Sequence, residues 1–189
     1  MGVKTSDKDF LYYASLGHKV MSAEPKSYSN ISGFRQRISL INVEKVKESF
    51  LLSKHFVKSL FDVNVHSSIL FINLDETSSV MTRFCALKSL EPYFIENWSS
   101  GTLTNTISKH RIDAIIVLST KDNNFVIQEA SKLNIPVIGL VDSDTTVNLV
   151  SYPVWANDNS VEVQYKITSE ISDIILEAKL TQFGVSCCG

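Results

Sequence analysis

The sequence predicts an α/β fold in which helices cover both faces of a doubly wound parallel sheet. Three runs are apolar almost throughout, as is typical of strands that are buried on both faces: residues 67–74, 113–119 and 136–142. Helical periods alternate with these runs, which favours strand–helix–strand crossovers between parallel strands. The length of 189 residues fits one domain of this class.

The apolar spacing predicts the helices. In residues 44–61, the apolar side chains Val46, Phe50, Val57 and Leu60 recur on one face. We predict two shorter helices at 76–90 and 123–133 and a long one at 158–179, with Asp158 as its N-cap. Weaker patterns indicate further strands at 37–42, 93–96 and 152–155.

The chain is predicted to be a single unit with three parts. Residues 1–36 lack clear periodicity and are expected to form an extended N-terminal arm with short helical pieces. The α/β core is predicted at 37–180 and a tail at 181–189. The polar, charged opening resembles neither a secretory signal nor a transit peptide, and no apolar run is long enough for a membrane helix. The three cysteines have no spacing that indicates a disulfide framework or a zinc site.

The net charge of −2 conceals an asymmetry between the two parts of the chain. Residues 1–112 carry 14 Lys and Arg against 10 Asp and Glu, whereas residues 113–189 carry 4 against 10. A protein that coats RNA over its whole surface would be basic throughout, because phosphates are neutralised by Lys and Arg. The asymmetry instead indicates one basic face and one acidic face.

The segments after the strands argue against a nucleotide-binding enzyme. A phosphate cradle needs glycines so that backbone N–H groups can approach the anion. Residues 73–77 and 119–122 contain no glycine, and the chain has neither GxGxxG nor GxxxxGK[ST]. We therefore expect no catalytic residues, no cofactor and no small-molecule substrate.

The alternative is a magnesium-dependent or nucleotide-binding α/β enzyme. Asp75, Asp142 and Asp144 could gather at one sheet edge and bind magnesium. The favoured interpretation is that such residues cap the helices after the strands. The four histidines show no metal-ligand spacing, so we predict no metal site.

Short motifs then follow one another in a particular order. They are GH at 17–18, PK at 25–26, GFR at 33–35, INVEK at 41–45, WSSGTLTN at 98–105, DAIIV at 113–117, QEA at 128–130, IPVI at 135–138, VD at 141–142, YP at 152–153 and ND at 157–158. Together they resemble the family of the second protein of the small ribosomal subunit, in its bacterial form. The tryptophan with the TLTN block, in register with the others, is the specific part.

The resemblance implies a flavodoxin-like sheet without a bound cofactor, which contacts ribosomal RNA (rRNA) and neighbouring ribosomal proteins of the small subunit. Two departures stand out. Bacterial members carry a long helical hairpin after TLTN, but only residues 106–112 are present here. Ser100 replaces the first of two paired glycines. The missing hairpin and the weakly basic composition resemble organellar members, and we predict a mitochondrial ribosome, with a chloroplast or bacterial cytoplasm as alternatives.

The basic segment near the N-terminus is the predicted RNA-docking face. Its residues are His18, Lys19, Lys26, Arg35, Arg37 and Lys45. Arginine binds phosphate with two parallel hydrogen bonds and lysine acts as a point charge. Phe34 or Tyr28 could stack on an unpaired base, although packing beneath the arm is the favoured interpretation.

The signature residues are predicted to be structural rather than ligand-binding. They are Trp98, Gly101, Thr102, Leu103, Thr104 and Asn105. Trp98 and Leu103 are expected to pack in the core or a turn, and Gly101 to meet a backbone requirement.

Overall fold

A computed structural model of the protein describes residues 7–19, 24–64, 66–74, 76–95, 98–107, 111–121, 123–145 and 148–182. The α-helices are α1 (Asp7–Ala14), α2 (Val43–Val63), α3 (Glu76–Ser89), α4 (Asn124–Lys132) and α5 (Val161–Gln182). The strands are β1 (Leu16–Lys19), β2 (Ile31–Arg35), β3 (Ile38–Ile41), β4 (Ile69–Ile72), β5 (Tyr93–Phe94), β6 (Ala114–Val117), β7 (Val137–Val141) and β8 (Tyr152–Trp155). A 3-10 helix spans Pro25–Asn30 and a π-helical segment spans Thr102–Ile107.

Five parallel strands form the main sheet in the order β5-β4-β6-β7-β8. Counted from the first strand of the sheet, this is the order 2-1-3-4-5 of flavodoxin-like folds. The predicted α/β class and parallel sheet are confirmed. The three long apolar runs form β4, β6 and β7, and every residue of these strands is buried.

Helices cover both faces of this sheet because neighbouring side chains along a strand point to opposite faces. Ile69 and Phe71 of β4 pack into a core with α1, α2, α3 and α5. Leu70 and Ile72 pack on the other side, against α4 and the π-helical segment. The sheet is thus doubly wound, as predicted. Among the described residues, no helix is both long and apolar enough to cross a membrane.

The edges of the main sheet are β5 and β8. Strand β5 has two residues. Strand β8 includes Pro153, which has no backbone N–H, and the N–H of Trp155 donates to Ser49 Oγ of α2 at 3.1 Å. The edges are therefore short, or shielded by a proline and a neighbouring helix.

The described residues of the N-terminal region form helices and strands rather than an extended arm. Strands β1, β3 and β2 form a small antiparallel sheet in that order, and α1 buries Phe10 and Ala14 in the core. The 3-10 helix and α1 are the expected short helical pieces, but the antiparallel sheet was not predicted. The boundary drawn between residues 36 and 37 falls within the β2–β3 turn.

Helices α2 and α5 differ in how their N-terminal ends are capped. Asn42 caps α2, since its side chain accepts a hydrogen bond from the N–H of Glu44 at 2.9 Å. The predicted N-cap at Asp158 is wrong: α5 begins at Val161, and the N–H of the buried Asp158 donates to Asp142 Oδ2 at 3.3 Å. The tail predicted at 181–189 lies outside the described residues from 183 onwards.

Candidate nucleic-acid interface

The β2–β3 hairpin turns through two residues with left-handed backbone conformations. Gln36 has φ 51° and Arg37 has φ 66°. Two-residue hairpin turns of this kind favour Asn-Gly, because side chains with a Cβ are strained at positive φ. Strain of about 1 kcal/mol or more per residue persists only where the surrounding structure or a function requires it. The hairpin therefore presents Arg37 at a position where local backbone preference would select glycine.

The small sheet brings two of the predicted basic residues into register. Ile38 of β3 is paired with Lys19 of β1 on one side and with Arg35 of β2 on the other. Directly paired residues share a face, so Lys19 and Arg35 lie on the same face, roughly 10 Å apart. Both are exposed, as is Arg37 in the turn. Within the described part of the chain, no carboxylate forms an ion pair with any of these three cations.

Two aromatic side chains contact each other near the β2–β3 hairpin. Tyr28 of the 3-10 helix and Phe34 of β2 meet edge to face, with ring centroids 6.3 Å apart and an interplanar angle of 82°. Tyr28 is 48% exposed and Phe34 is 53% exposed. The two rings therefore pack against each other, and about half of each side chain remains exposed. Phe34 lies on the face of β2 opposite to Arg35, because the two are consecutive in the strand.

The other predicted RNA contacts are placed differently. Lys45 lies in the first turn of α2, and its Nζ is 2.7 Å from Glu48 Oε2. Lys26 lies in the 3-10 helix, and its side chain is outside the described part of the structure. His18 is on β1, but its ring is directed towards the C-terminal end of β7 rather than towards the basic row.

His18 is surrounded by acidic side chains. Its Nδ1 is 3.1 Å from Asp142 Oδ2 and 3.6 Å from Asp144 Oδ1, and its Nε2 is 2.7 Å from Asn159 Nδ2. The hydrogen bond to Asp142 is the main cause that raises the pKa of His18 to about 8. Partial burial opposes this shift, and the negative charges of Asp142, Asp144 and Asp158 add to it. The imidazolium thus ties the small sheet to the main sheet.

The backbone of β1 passes close to the same loop. The N–H of His18 donates to Ser143 Oγ at 2.9 Å. A Cβ added at Gly17 would lie 2.8 Å from Ser143 Oγ and 3.1 Å from Ser39 O. Only glycine leaves room for this approach, which gives the GH motif a structural explanation.

The same cluster offers a set of metal ligands that the sequence did not reveal. One ligand atom each from His18, Asp142 and Asp158 lies within 4.8 Å of the others. One imidazole and two carboxylates could hold a divalent cation, which would require His18 to lose its proton. No spacing rule detects them because Asp142 lies far from His18 in the chain. Asp142 is also not a helix cap, and Asp75 lies outside the described residues.

The switch point of the sheet lies between β4 and β6, where flavodoxin-like folds bind their ligands. The polar residues that follow these strands are buried: Asn73, Ser119, Thr120 and Asn123. Thr120 Oγ1 donates to the carbonyl of Leu140 at 2.9 Å, and Asn123 Nδ2 donates to that of Ser119 at 2.6 Å. The loop after β6 is thus held by hydrogen bonds within the protein.

The signature segment is joined to α4 through Glu129. This carboxylate accepts hydrogen bonds from Trp98 Nε1 at 3.1 Å, from the N–H of Thr104 at 3.1 Å and from Thr104 Oγ1 at 3.3 Å. Leu103 is buried against α4, and Gly101 has φ 90°. The WSSGTLTN and QEA motifs therefore form one structural unit.

Thr102 and Asn105 complete the local geometry of that unit. Thr102 Oγ1 donates to the carbonyl of Ser99 at 2.7 Å. Asn105 is exposed, and its N–H bonds to the carbonyl of Gly101 at 2.8 Å. A Cβ at Gly101 would lie 2.9 Å from Asn105 Nδ2, so the glycine serves both the positive φ and the close approach.

The chain is similar to known ribosomal proteins along most of its length. The family model described as Ribosomal protein S2 matches residues 12–113 and 108–178. Small ribosomal subunit protein uS2 of Marinobacter nauticus is 25% identical over 213 aligned positions, covering 87% of this chain and 84% of that protein. Small ribosomal subunit protein uS2m of Marchantia polymorpha is 23% identical over 216 positions, covering 89% of this chain and 90% of that protein.

The form of the match agrees with a deletion in the middle of the chain. The alignments are longer than the 189 residues present, so the relatives contain residues that this chain lacks. The two matched segments of the family model meet at 108–113, directly after the π-helical segment. With a flavodoxin-like sheet and a family match over most of its length, this chain belongs to the Ribosomal protein S2 family.

Proposed function

We propose that this protein is a structural constituent of the small ribosomal subunit that docks on rRNA through the β2–β3 hairpin. Its family is one of non-enzymatic ribosomal proteins, so the enzyme alternative is set aside. The observation that carries the docking proposal is the set of exposed cations Lys19, Arg35 and Arg37, which we call the hairpin cations. The RNA contacts predicted at His18, Lys26 and Lys45 remain predictions and are not part of this set.

The distribution of ion pairs supports this choice of face. The acidic second part of the chain is partly neutralised by the basic first part, through Lys54–Glu170 at 2.9 Å and Lys88–Asp173 at 2.5 Å. The hairpin cations have no such partners among the described residues. They are therefore available to phosphates without first breaking an ion pair, and phosphate binding would release condensed counterions.

The first prediction concerns the combined Lys19→Ala, Arg35→Ala and Arg37→Ala variant. Three phosphate contacts would be lost, so we expect binding to small-subunit rRNA to weaken by about tenfold to a hundredfold at physiological salt. The slope of log K against log salt should become shallower by about 2 to 3. Filter binding over a salt series measures both quantities, and incorporation into the subunit is followed by sedimentation.

A control variant tests whether position or charge alone matters. Lys47→Ala, Lys58→Ala and Lys132→Ala together remove the same charge from exposed positions on α2 and α4. We expect this variant to bind and sediment nearly as the unmodified protein does. If the two triple variants lose equal affinity for rRNA, the effect depends only on overall charge and the docking face is refuted.

Contacts with neighbouring ribosomal proteins are a further part of the proposal. Val80, Phe84 and Leu87 lie along one side of α3 and are 74%, 56% and 54% exposed. Apolar side chains have no attraction for phosphate, so this surface suits a protein neighbour. Crosslinking of purified subunits should join α3 to protein and the hairpin to RNA. If α3 were crosslinked to RNA and not to protein, this orientation would be contradicted.

We also propose that the ribosome concerned is mitochondrial. The proposal rests on the short connection between Ile107 and β6, which stands in place of the helical hairpin of bacterial members. Relatives include both uS2 of bacteria and uS2m of Marchantia polymorpha. Sucrose-gradient fractions of purified mitochondria should contain the protein in the small-subunit peak. Its recovery from chloroplast or bacterial cytoplasmic ribosomes instead would refute the compartment but not the docking face.

A further inference from the structure

We propose that an unpaired base of the rRNA stacks on the aromatic pair formed by Tyr28 and Phe34. The inference rests on the proposed RNA docking of the hairpin and adds the chemical class of the ligand at its tip. About half of each side chain is exposed, and the two rings contact each other edge to face. In that arrangement, one ring turns only its edge towards the other and keeps both of its own faces free to stack.

Exposure of the Tyr28 and Phe34 rings to water is energetically unfavourable. Two aromatic rings at the tip of a small sheet would ordinarily be buried, since each carries a large apolar area. Here, about half of each side chain is exposed although Ser39, the residue paired with Phe34, is itself buried. The surface is therefore one that a ligand would stabilise by covering it.

The surrounding charge identifies the kind of ligand. Arg35 follows Phe34 on the opposite face of β2, and Arg37 is the second residue of the turn that follows. Both cations therefore lie within three residues of the ring, at the same end of the hairpin. Aromatic rings next to cations are the arrangement by which proteins hold single-stranded nucleic acid, because each nucleotide supplies a flat base and an anionic phosphate. The base faces in a duplex are already stacked, so the ligand is an unpaired nucleotide in a loop, a bulge or a strand end.

The test compares two RNA probes that have the same phosphates. One is an oligouridine of about 12 nucleotides, and the other is an abasic strand of the same length. The full chain should bind the oligouridine about tenfold more tightly than the abasic strand at equal salt. In Phe34→Ala, this preference should fall to nearly none while affinity for the abasic strand is retained. Phe34→Trp should keep the preference, and Phe34→Leu, which is apolar but lacks the ring, should lose it.

Two further variants separate the stacking site from the docking face. Phe125→Ala removes a ring that is 76% exposed on α4 and should leave both affinities unchanged. The triple variant of the hairpin cations should weaken binding of both probes by the same factor and keep the preference for bases. If Phe34→Ala keeps that preference while the triple variant weakens both probes, stacking is refuted and docking stands. If the triple variant has no effect on either probe, the docking face itself fails.

Discussion

Replacing Asp142 with Ala is expected to lower the free energy of unfolding by about 4 kcal/mol. Asp142 is fully buried at the end of β7. It accepts hydrogen bonds from the N–H groups of Ser143 and Asp158 and lies 3.1 Å from His18 Nδ1. Alanine would leave two buried donors unsatisfied and an imidazolium without its nearest counter-charge, and each of these losses is costly. Urea unfolding followed by far-UV circular dichroism measures the change.

Two other substitutions calibrate this result. Asp142→Asn retains one carbonyl acceptor and should lose about half as much stability. Asp173→Ala removes a carboxylate that is 50% exposed and bound to Lys88, so a change of less than about 1 kcal/mol is expected. A loss at Asp142 no larger than that at Asp173 would mean that the cluster around His18 does not join the two sheets.

The same cluster makes stability depend on pH. The pKa of His18 is raised from 6.5 to about 8 by Asp142 and the neighbouring carboxylates, so the folded protein holds the proton more tightly than the unfolded chain. The resulting stabilisation is complete below pH 6.5 and is lost as the pH rises past 8. Because the His18 side chain is 26% exposed, solvent screening reduces the contribution to about 1 kcal/mol.

This pH dependence can be isolated by difference. Unfolding is measured between about pH 6 and 9 for the unmodified protein and for His18→Asn, with EDTA present to exclude metal binding. The unmodified protein should lose more stability over that interval than the variant does. Parallel curves for the two proteins would exclude His18 as the group responsible.

Glu91→Ala is expected to have the second largest effect, a loss of about 3 kcal/mol. The Glu91 side chain is 2% exposed, and its Oε1 is 2.7 Å from Lys179 Nζ. Its Oε2 accepts from the N–H of Ile69 at 3.0 Å and from Ser68 Oγ at 3.1 Å. Burial raises the pKa of Glu91 although Lys179 opposes the shift. Removing the carboxylate leaves the ammonium of Lys179, 19% exposed, without its counter-charge.

A double substitution tests whether the cost comes from the stranded charge. Lys179 Nζ also donates to the carbonyls of Ser89 and Leu90, so it joins the end of α3 to α5. Glu91→Ala with Lys179→Met should regain part of the stability lost in the single variant. Glu48→Ala, at the exposed pair with Lys45, should change stability by less than about 0.5 kcal/mol. A double variant no more stable than Glu91→Ala alone would contradict this explanation.

The main sheet could be predicted because its strands are buried on both faces. The runs at 67–74, 113–119 and 136–142 contain β4, β6 and β7, with one or more residues outside the strand at each end. Helices α2 and α4 agree within two residues with the predicted spans. In these segments, local apolar periodicity and tertiary burial select the same structure, so the sequence pattern is unambiguous.

The small sheet could not be predicted in the same way. Strands β1 and β2 are half-buried or exposed, so neither shows a clear alternation of apolar and polar residues. Their pairing also contains register shifts, which further obscure the pattern. The small sheet depends instead on tertiary contacts, such as the bond from the N–H of His18 to Ser143 Oγ.

The candidate interface, too, could be predicted from the sequence only in part. Composition alone indicated that the basic residues near the N-terminus form a group, but only strand pairing shows that Lys19 and Arg35 flank Ile38. His18 could not be assigned to the acidic cluster, because Asp142 and Asp158 follow it more than a hundred residues later in the chain. Long-range contacts of this kind leave no local sequence pattern.

The edges of the main sheet affect how readily the protein aggregates before it is assembled into a ribosomal subunit. A newly made subunit component meets other copies of itself, and an open strand edge would let copies polymerise through backbone hydrogen bonds. Here one edge strand has two residues, and the other contains Pro153 and donates the N–H of Trp155 to α2. Both features discourage strand addition, so a pool of unassembled molecules is protected from aggregation along this route.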